Sequence, residues 1–503
     1  MKRLVDFLTQ EEVRGESLSE SLLFKAFCVD SRQVQEGSLF LAIPSLSINS
    51  VEPYILEAIQ RGASIILMQQ GTSLSSRVLE AIATQKVAIF EVQNSRLMAS
   101  LLANRLFPAQ PNVITAITGT NGKTSVASFT RQLWELLGFK SASLGTLGVQ
   151  GAHVEKSGLI DFSYSTPDPL ILYPILENLQ LQGVEHLAME VSSHGLDMYR
   201  AEHVQFKVAA FTNLSHEHLD YHETMEAYFQ AKARLFKEVL SLQGTAVVNV
   251  GTNFGQEIAK ICMQRGLNLV TLGHENSDIC VQKIVTELHG NQVSFKAFGK
   301  TYNIFLPLVG QFQVENVLMA FAIAMSTGAH CEEVVKVLES LQGVKGRMEF
   351  VGETKAGASI FVDYAHKPLA LETVLKSLRA HTHGQIFVVF GCGGERDQAK
   401  RMMMGKIAAN HAECVIVTDD NPRSEDPQAI RRQILEGAPS AYEIASREEA
   451  IAYAIQTAKA GDICLIAGKG HEQGQIMGSV TYPFCDRSVA QDILARMERG
   501  GGR

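Results

Sequence analysis

The sequence lacks several features that would place the protein in other classes. None of its eight cysteines forms a C-x-x-C pair, the spacing that zinc sites and redox dithiols use. No apolar run is long enough to cross a bilayer, and the first ten residues show no secretion-signal pattern. The net charge of −8 offers no basic excess for nucleic acid. We therefore expect a cytoplasmic protein with free, buried thiols, no membrane span and no nucleic-acid partner.

Short apolar runs recur along the 503 residues, and many of them are rich in β-branched side chains. They alternate with stretches of helical spacing, a pattern typical of parallel strands that are buried on both faces. The predicted fold class is therefore α/β. The runs cover residues 64–68, 87–92, 113–118, 186–191, 208–212, 245–250, 386–391, 414–418 and 463–467.

The length of the chain predicts about three domains. One boundary is expected at the linker that holds Pro108 and Pro111, and another near the glycine-containing segment 343–347. Over residues 284–306, polar and apolar residues partly alternate around a His-Gly-Asn turn, which predicts an inserted antiparallel hairpin. The predicted domains cover residues 1–109, 110–346 and 347–503.

The clearest chemical signal is the segment T-G-T-N-G-K-T-S at residues 118–125, between a predicted strand and a predicted helix. Backbone N–H groups of such a loop converge on phosphate. Lys123 is then expected at the β- and γ-phosphates and Thr124 at Mg²⁺. The general pattern has glycine where this chain has Ile117, so a plain glycine turn is an alternative. The predicted nucleotide-binding residues are Gly119, Thr120, Asn121, Gly122, Lys123, Thr124 and Ser125.

Three further side chains fall near the expected phosphate edge of the sheet. Glu190 ends a predicted buried strand, which is where a second Mg²⁺ ligand belongs. His218 lies in a segment with three histidines in seven residues, where a metal site and a hydrogen-bonded loop are both compatible with the pattern. Lys232 lies in a helical stretch, and its pattern alone indicates a solvated surface lysine.

The last third of the chain contains three polar loops that each follow a predicted strand. They are G-C-G-G-E-R-D at 391–397, D-N-P-R at 420–423 and G-K-G-H-E at 468–472. Open α/β sheets bind ligands at the carboxyl ends of their strands. A single loop of this kind could be a simple turn, but three at one edge predict a binding site.

Taken in order from Asp30 to Arg487, these segments resemble the Mur ligase family, which adds amino acids to the peptidoglycan precursor. The likeness is strongest to members that add the third residue. It implies three domains in line. An N-terminal α/β domain binds the UDP-sugar, a central P-loop ATPase domain with a parallel sheet binds ATP, and a Rossmann-like C-terminal domain binds the amino acid.

The resemblance also implies roles around ATP. Glu190 and His218 match Mg²⁺ ligands, and Lys232 matches a lysine that the family carries as a carbamate; with Lys123 they form the expected catalytic set. Asn316 matches an adenine-side asparagine. The third domain is expected to close over ATP through Arg347, Asp363 and His366, although Arg347 alone would equally fit an interdomain salt bridge.

For the UDP-sugar, the resemblance implies contacts from both of the first two domains. The sequence differs from the family pattern at Ser45, at Asn49, and at Tyr164, where an asparagine is usual. It also has methionine at 198, where a glutamine is often found. The implied residues are Val29, Ser31, Ser165, Thr166, Ser192, Met198 and Arg200.

The D-N-P-R loop resembles that of enzymes that add meso-diaminopimelate. This substrate is lysine with an extra carboxylate, which a buried Arg423 can bind with two hydrogen bonds. L-Lysine would leave that guanidinium unpaired. Arg396 is a second partner for a carboxylate, and Glu472 is expected to bind the distal ammonium. The implied residues are Arg396, Asp420, Asn421, Pro422, Arg423, Gly468 and Glu472.

The predicted activity is a monomeric ATP- and Mg²⁺-dependent ligase that adds meso-diaminopimelate to UDP-MurNAc-L-Ala-D-Glu through an acyl phosphate. The same reaction with L-lysine is one alternative. A folylpolyglutamate-synthetase-like ligase is another, but that family lacks the UDP-sugar domain and the D-N-P-R loop. A non-catalytic nucleotide-binding regulator is a third, and the presence of Lys123, Glu190, His218 and Lys232 speaks against it.

Overall fold

The computed structural model describes residues 1–44, 50–155, 162 and 164–500. Ser45 and Asn49, where the sequence differs from the family pattern, lie outside the described residues. The chain forms two compact units. The first comprises residues 1–121, 139–248 and 253–269, and the second comprises 122–138, 249–252 and 270–503. Among the described residues, no helix has the length and apolar character that crossing a membrane requires.

The first unit begins with a five-stranded sheet in the order β2-β7-β6-β5-β4. Leu39 and Leu41 of β5 pack with α3 on one face, whereas Phe40 packs with α1 and α2 on the other. Burial on both faces is why these strands are continuously apolar. The elements are β1 (Lys2–Arg3), β2 (Arg14–Gly15), β3 (Leu23–Phe24), β4 (Phe27–Cys28), β5 (Ser38–Ala42), α1 (Glu52–Gln60), β6 (Ala63–Gln69), α2 (Ser76–Gln85), β7 (Ala88–Val92) and α3 (Ser95–Leu106).

A second sheet follows, with strands in the order β10-β9-β11-β8-β12-β13, all parallel except β10. Strand β8 is flanked by β11, where Glu190 pairs with Ile117, and by β12, where Phe211 pairs with Thr118. Three strand ends therefore meet at the phosphate loop. The elements are β8 (Val113–Thr118), α4 (Lys123–Leu136), β9 (Ser141–Gly145), β10 (Gly148–Gln150), α5 (Pro169–Leu181), β11 (His186–Glu190), α6 (Ser193–Asp197), β12 (Phe206–Phe211), α7 (Leu219–His222), α8 (Met225–Arg234), β13 (Thr245–Asn249) and α9 (Asn253–Arg265).

In the second unit, the predicted antiparallel hairpin is present as β15 and β16, and a third strand extends it into a meander. The first turn lies between Glu287 and Gly290, as predicted. A second turn at Phe298 and Gly299, both with positive φ, adds another strand. Helix α4, which belongs to this unit, packs on α10. The elements are β14 (Asn268–Gly273), β15 (Ile279–Glu287), β16 (Gly290–Ala297), β17 (Lys300–Leu306), α10 (Gln311–Ser326) and α11 (Cys331–Leu338).

The rest of the second unit is a six-stranded sheet in the order β18-β19-β23-β20-β21-β22, between two apolar helix layers. Its strands are parallel except β18. The three polar loops follow β20, β21 and β23, which are neighbours. The elements are β18 (Glu349–Glu353), β19 (Ser359–Asp363), α12 (Pro368–Arg379), β20 (Ile386–Phe390), α13 (Ala399–His411), β21 (Cys414–Val417), α14 (Pro427–Leu435), β22 (Tyr442–Glu443), α15 (Arg447–Thr457), β23 (Ile463–Ala467), β24 (Gly474–Met477), β25 (Val480–Pro483) and α16 (Asp486–Gly500).

The α/β fold class and the strand runs predicted from the sequence are confirmed within a residue or two at most ends. All eight cysteines are free, and five of them are buried, as expected.

Candidate active site

The first half of the phosphate loop is held by the segment that follows β12. The N–H of Thr120 donates to the carbonyl of Asn213 at 2.8 Å, and the N–H of Asn121 donates to the Asn213 side chain at 2.9 Å. The hydroxyl of Thr212 donates to the carbonyl of Asn121 at 2.7 Å. A Cβ on Gly119, where φ is +144°, would overlap the Thr212 hydroxyl. Only glycine therefore fits at position 119 of this loop.

The second half of the loop leads into α4 and belongs to the second unit. Gly122 has a φ of +86°, and the helix begins at Lys123. Thr124 and Ser125 are buried in its first turn. The N–H groups of a first helical turn have no partners within the helix and can bind an anion.

Glu190 lies at the end of β11 and is 2% exposed. Its two oxygens accept hydrogen bonds from the N–H of Thr146 at 2.8 Å and from the Thr146 hydroxyl at 3.1 Å. A Cβ on Gly145 would overlap the carboxylate. These contacts hold the Glu190 carboxylate in one orientation at the sheet edge beside the phosphate loop. The sequence pattern did not identify Thr146.

Lys232 is 1% exposed, so its interpretation as a solvated surface lysine is wrong. Its Nζ donates to the carbonyl of Gly119 at 2.9 Å and lies 4.7 Å from the centre of the Tyr228 ring. Tyr228 lies one helical turn earlier on α8, and its hydroxyl is 3.1 Å from the Thr120 hydroxyl. Burial raises the pKa of Tyr228 well above its ordinary value. Helix α8 therefore supports the phosphate loop through two side chains, of which sequence analysis found one.

The histidine segment is divided between two roles. His222 is hydrogen bonded to the Ser193 hydroxyl at 2.9 Å, and burial lowers its pKa. The ring of His218 lies edge-on to that of His194, with centroids 5.0 Å apart, and His218 has a φ of +57°. Within the described part of the chain, no three His, Cys, Asp or Glu side chains form a metal-binding group. His222 therefore fits the hydrogen-bonded alternative. The ring of His218 packs against that of His194, which follows β11.

Three of the predicted UDP-sugar residues form a network behind Glu190. The N–H of Ser192 donates to the Thr166 hydroxyl at 2.9 Å, and that hydroxyl is 3.2 Å from the Glu190 carbonyl. The guanidinium of Arg200 donates to the Thr166 carbonyl at 2.8 Å. These contacts bring Thr166, Ser192 and Arg200 together.

The other predicted UDP-sugar residues are less closely linked. Arg200 lies 5.0 Å from the centre of the Tyr164 ring and 3.5 Å from the Met198 sulfur, so two of the positions that differ from the family pattern contact the same arginine. The hydroxyl of Ser31 is buried and donates to Glu57 at 2.7 Å. Val29 and Ser165 are half-buried. Val29 and Ser31 follow β4, in the other sheet of the same unit.

Asp363, predicted on the ATP side, is buried, and His366 in the same loop is half-buried. The two oxygens of Asp363 accept from the N–H groups of Met348 and Ala365, both at 2.7 Å, and burial raises its pKa. The Nδ1 of His366 donates to the Tyr364 carbonyl at 2.7 Å, and burial lowers the pKa of His366 to about 4. This imidazole is therefore neutral at neutral pH.

Arg347 and Asn316 are linked through Gln313. The amide of Asn316 donates to Gln313 at 2.9 Å, and the Gln313 amide lies 3.4 Å from the Arg347 carbonyl. The Arg347 guanidinium stacks 4.4 Å from the centre of the Tyr364 ring. The structure therefore brings together Asn316, Arg347 and the loop of Asp363 and His366.

Arg423 joins two of the three polar loops. Its guanidinium donates to the Gly394 carbonyl at 2.8 Å, and its backbone, with a φ of +53°, bonds to Ile476 and Gly478 of the β24–β25 hairpin at 3.1 and 2.7 Å. Arg423 is half-buried rather than buried, because its side chain lies at the edge between a loop and this hairpin. Arg396, in the first loop, is exposed.

The second and third loops are joined by polar side chains. Asn421 donates to Glu472 at 3.0 Å and accepts from Lys469 at 2.8 Å. The Asp420 carboxylate is buried and lies 2.8 Å from the point where a Cβ on Gly468 would stand. The three loops therefore form one cluster with carboxylates and cations, as their strand positions predicted. Lys469 was not predicted, although it lies within the G-K-G-H-E segment.

Most of the chain matches proteins of one known family. The family pattern described as "Mur ligase middle domain" matches residues 117–324, and the one described as "Mur ligase, glutamate ligase domain" matches residues 346–470. The UDP-N-acetylmuramoyl-L-alanyl-D-glutamate--2,6-diaminopimelate ligase of Chelativorans sp. (strain BNC1) is 42% identical over 478 residues, covering 95% of this chain and 96% of that protein.

Solved structures show the same relationship. A structure of a UDP-N-acetylmuramoyl-L-alanyl-D-glutamate--2,6-diaminopimelate ligase is similar with a TM-score of 0.68 and 31% identity, covering 94% of this chain and 95% of that one. The MurF ligase of Thermotoga maritima in complex with ADP gives a TM-score of 0.59 at 20% identity, covering 95% and 98% of the two chains, and shares the fold.

Proposed function

This chain belongs to the Mur ligase family, and we propose that it is an ATP-dependent ligase that joins meso-diaminopimelate to UDP-MurNAc-L-Ala-D-Glu. Relatives named for 2,6-diaminopimelate align over 92% to 95% of the chain. The observation that carries the proposal is the cluster of three loops in which Arg423 follows β21 and Glu472 follows β23, the two strands that flank β20. A guanidinium and a carboxylate in one cluster match a substrate end that bears both a carboxylate and an ammonium group.

In the proposed reaction, the γ-carboxylate of the D-glutamyl residue attacks the γ-phosphate of ATP and releases ADP. The amine of diaminopimelate then attacks the acyl phosphate, and phosphate leaves as the amide forms. The backbone N–H groups at the start of α4 and the ammonium of Lys123 would offset the charge on the transferred phosphoryl group. No protein nucleophile takes part. Asn316, Arg347, Asp363 and His366 are proposed on the nucleotide side.

We further propose that Glu190, His218 and Lys232 hold Mg²⁺, with Lys232 as a carbamate. The donor chemistry fits, since the Glu190 carboxylate is held in place by Thr146 and Mg²⁺ prefers oxygen ligands. A carbamate would turn the buried Lys232 from a cation into an anion with two oxygens. Bound Mg²⁺ would neutralise phosphate charge. Thr124 is proposed as a further Mg²⁺ ligand, as the sequence pattern predicts.

The UDP-sugar is assigned to Val29, Ser31, Ser165, Thr166, Ser192, Met198 and Arg200, and diaminopimelate to Arg396, Asp420, Asn421, Pro422, Arg423, Gly468 and Glu472. The domain bounds 1–109, 110–346 and 347–503, the monomeric state and the cytoplasmic location belong to the same proposal.

Phosphate release from ATP tests the proposal directly. We expect release only when UDP-MurNAc-L-Ala-D-Glu and meso-diaminopimelate are both present, with a product whose mass increases by one diaminopimelate residue. Equal rates with L-lysine would favour the lysine-adding alternative. Release with a folate and glutamate instead would favour the folylpolyglutamate alternative, and no release with any amine would favour a regulator.

A further inference from the structure

Lys469, in the third polar loop, is a fully buried lysine that contacts the second loop, with 0% of its side chain exposed. Its Nζ donates to Oδ1 of Asn421 at 2.8 Å and lies 3.4 Å from Oε2 of Glu472. A buried ammonium is stable only where polar or anionic partners replace its water. Lys469 therefore ties together two residues that sequence analysis assigned to the amino-acid substrate.

The contacts of Lys469 fix the orientation of the Asn421 amide. Oδ1 of Asn421 also accepts from the N–H of Ile476 at 3.0 Å. Because an ammonium and an N–H can only donate, the oxygen of the amide must face them. The NH₂ group of Asn421 then faces Glu472, to which it donates at 3.0 Å.

Glu472 is consequently held by one oxygen only. Oε2 accepts a hydrogen bond from Asn421 and faces Lys469. Oε1 accepts no hydrogen bond from the part of the chain that the structure describes. The side chain is 34% exposed. Glu472 thus presents one free carboxylate oxygen from a fixed position, as binding an ammonium group requires.

The charges around this position also depend on Lys469. Arg447 forms a buried pair with Asp486 at 2.7 Å and donates to the carbonyl of Ala467, next to Gly468. Lys469 contacts Glu472 within this arrangement, so its loss would leave the Glu472 carboxylate with the Asn421 amide as its remaining partner among the described residues.

We propose that Lys469 is a positioning residue for the amine substrate: acting through Asn421, it fixes the Glu472 carboxylate that binds the distal ammonium of diaminopimelate. The inference rests on the proposed function. Lys469 itself does not touch the substrate, so its loss acts on binding of the amine and leaves the chemistry at ATP in place.

The test is a steady-state comparison of wild type and Lys469→Met, which keeps the length of the side chain and removes its charge. We expect KM for meso-diaminopimelate to rise at least tenfold, while kcat and the KM values for ATP and the UDP-substrate change less than threefold. The matched control is Lys406→Met, an exposed lysine on α13, which is expected to leave every constant unchanged. An unshifted KM for the amine, or an equal loss in all constants, would overturn the inference.

A double-mutant cycle with Glu472→Gln shows whether Lys469 acts through Glu472. In the Glu472→Gln background, Lys469→Met is expected to shift KM less than twofold further; fully independent effects overturn the inference. If Lys469→Met alone does not fold, the test is thermal unfolding of Glu472→Gln and of the double variant. Glu472→Gln leaves a buried ammonium without its carboxylate, so the double variant should melt at a higher temperature than Glu472→Gln alone. A double variant that melts no higher than Glu472→Gln would contradict the coupling between Lys469 and Glu472.

The proposed function and the proposed role of Lys469 can be contradicted separately. A wild-type protein that releases no phosphate with meso-diaminopimelate contradicts the proposed function. An active wild type whose KM for the amine is insensitive to Lys469→Met contradicts only the role of Lys469, and the unfolding comparison tests the coupling without any substrate.

Discussion

The ammonium group of Lys232 donates a 2.9 Å hydrogen bond to the carbonyl oxygen of Gly119, the first glycine of the phosphate loop. The two residues are 113 positions apart. The bond links helix α8 to the turn in which a glycine is required by the Thr212 hydroxyl. A carbamate on the same nitrogen would bring oxygen ligands to the loop where phosphate is expected.

Replacing Lys232 by alanine should abolish phosphate release, because the proposed carbamate and the bond to Gly119 are both lost. Short carboxylic acids such as acetate should partly restore activity by supplying the missing carboxylate. Phosphate release with and without acetate measures this. The control is Lys207→Ala, an exposed lysine on β12, which should be unaffected. A folded, inactive Lys232→Ala protein that no acid restores would contradict the carbamate and leave only a role in supporting the loop.

Replacing Gly145 by alanine should raise the Mg²⁺ concentration needed for half-maximal activity, because the added methyl group would overlap the Glu190 carboxylate. Displacing a supported metal ligand typically costs about 10- to 100-fold in metal affinity or activity. Phosphate release at increasing Mg²⁺ concentration measures the shift. Gly343→Ala is the control, since no atom lies within 4 Å of its added Cβ. Unchanged Mg²⁺ dependence in Gly145→Ala would argue against Glu190 as a ligand.

Replacing Arg423 by methionine should lower kcat/KM for meso-diaminopimelate by roughly 10- to 100-fold, the value of lost charge-assisted hydrogen bonds. The preference of the wild type for meso-diaminopimelate over L-lysine, expected to span orders of magnitude, should shrink accordingly. Rates with both amines measure this ratio. Arg432→Met, on the exposed face of α14, is the control. A preference that survives intact in Arg423→Met would assign the selection to another residue.

His381 should make stability depend on pH. Its Nε2 accepts from the N–H of Gly310 at 2.9 Å and its Nδ1 donates to the carbonyl of Glu287 at 2.6 Å, so the neutral ring is required. Burial lowers its pKa below the ordinary value of 6.5. The stabilisation is therefore complete above pH 6.5 and is lost as the pH falls toward the folded-state pKa.

Thermal unfolding of His381→Asn and wild type between pH 8 and pH 5 measures this contribution. The variant should melt at a lower temperature at pH 8, and the gap to wild type should narrow on acidification. His383→Asn, an exposed histidine two residues away, is the control. A gap that is constant with pH would show that protonation of His381 is not linked to unfolding.

Much of the fold followed from local patterns. The apolar runs at 113–118 and 463–467 coincide with strands β8 and β23, because strands buried on both faces must be continuously apolar. The positions of the three polar loops at the ends of β20, β21 and β23 were also predictable. Alternation over 284–306 did not reveal the turn at Phe298 and Gly299, since a strand pattern continues on both sides of it.

The element types, the phosphate loop, the family and the amino-acid loops could be inferred from the sequence, because these depend on residues close together in the chain. The three-dimensional fold was needed to show that Lys232 is buried, that Thr146 orients Glu190, that Arg423 is half-buried and that Lys469 joins Asn421 to Glu472. Each of these depends on strand order and on contacts between residues dozens of positions apart. The apolar periodicity of a sequence indicates whether a side chain lies on a buried face, but it does not indicate which residue that side chain contacts there.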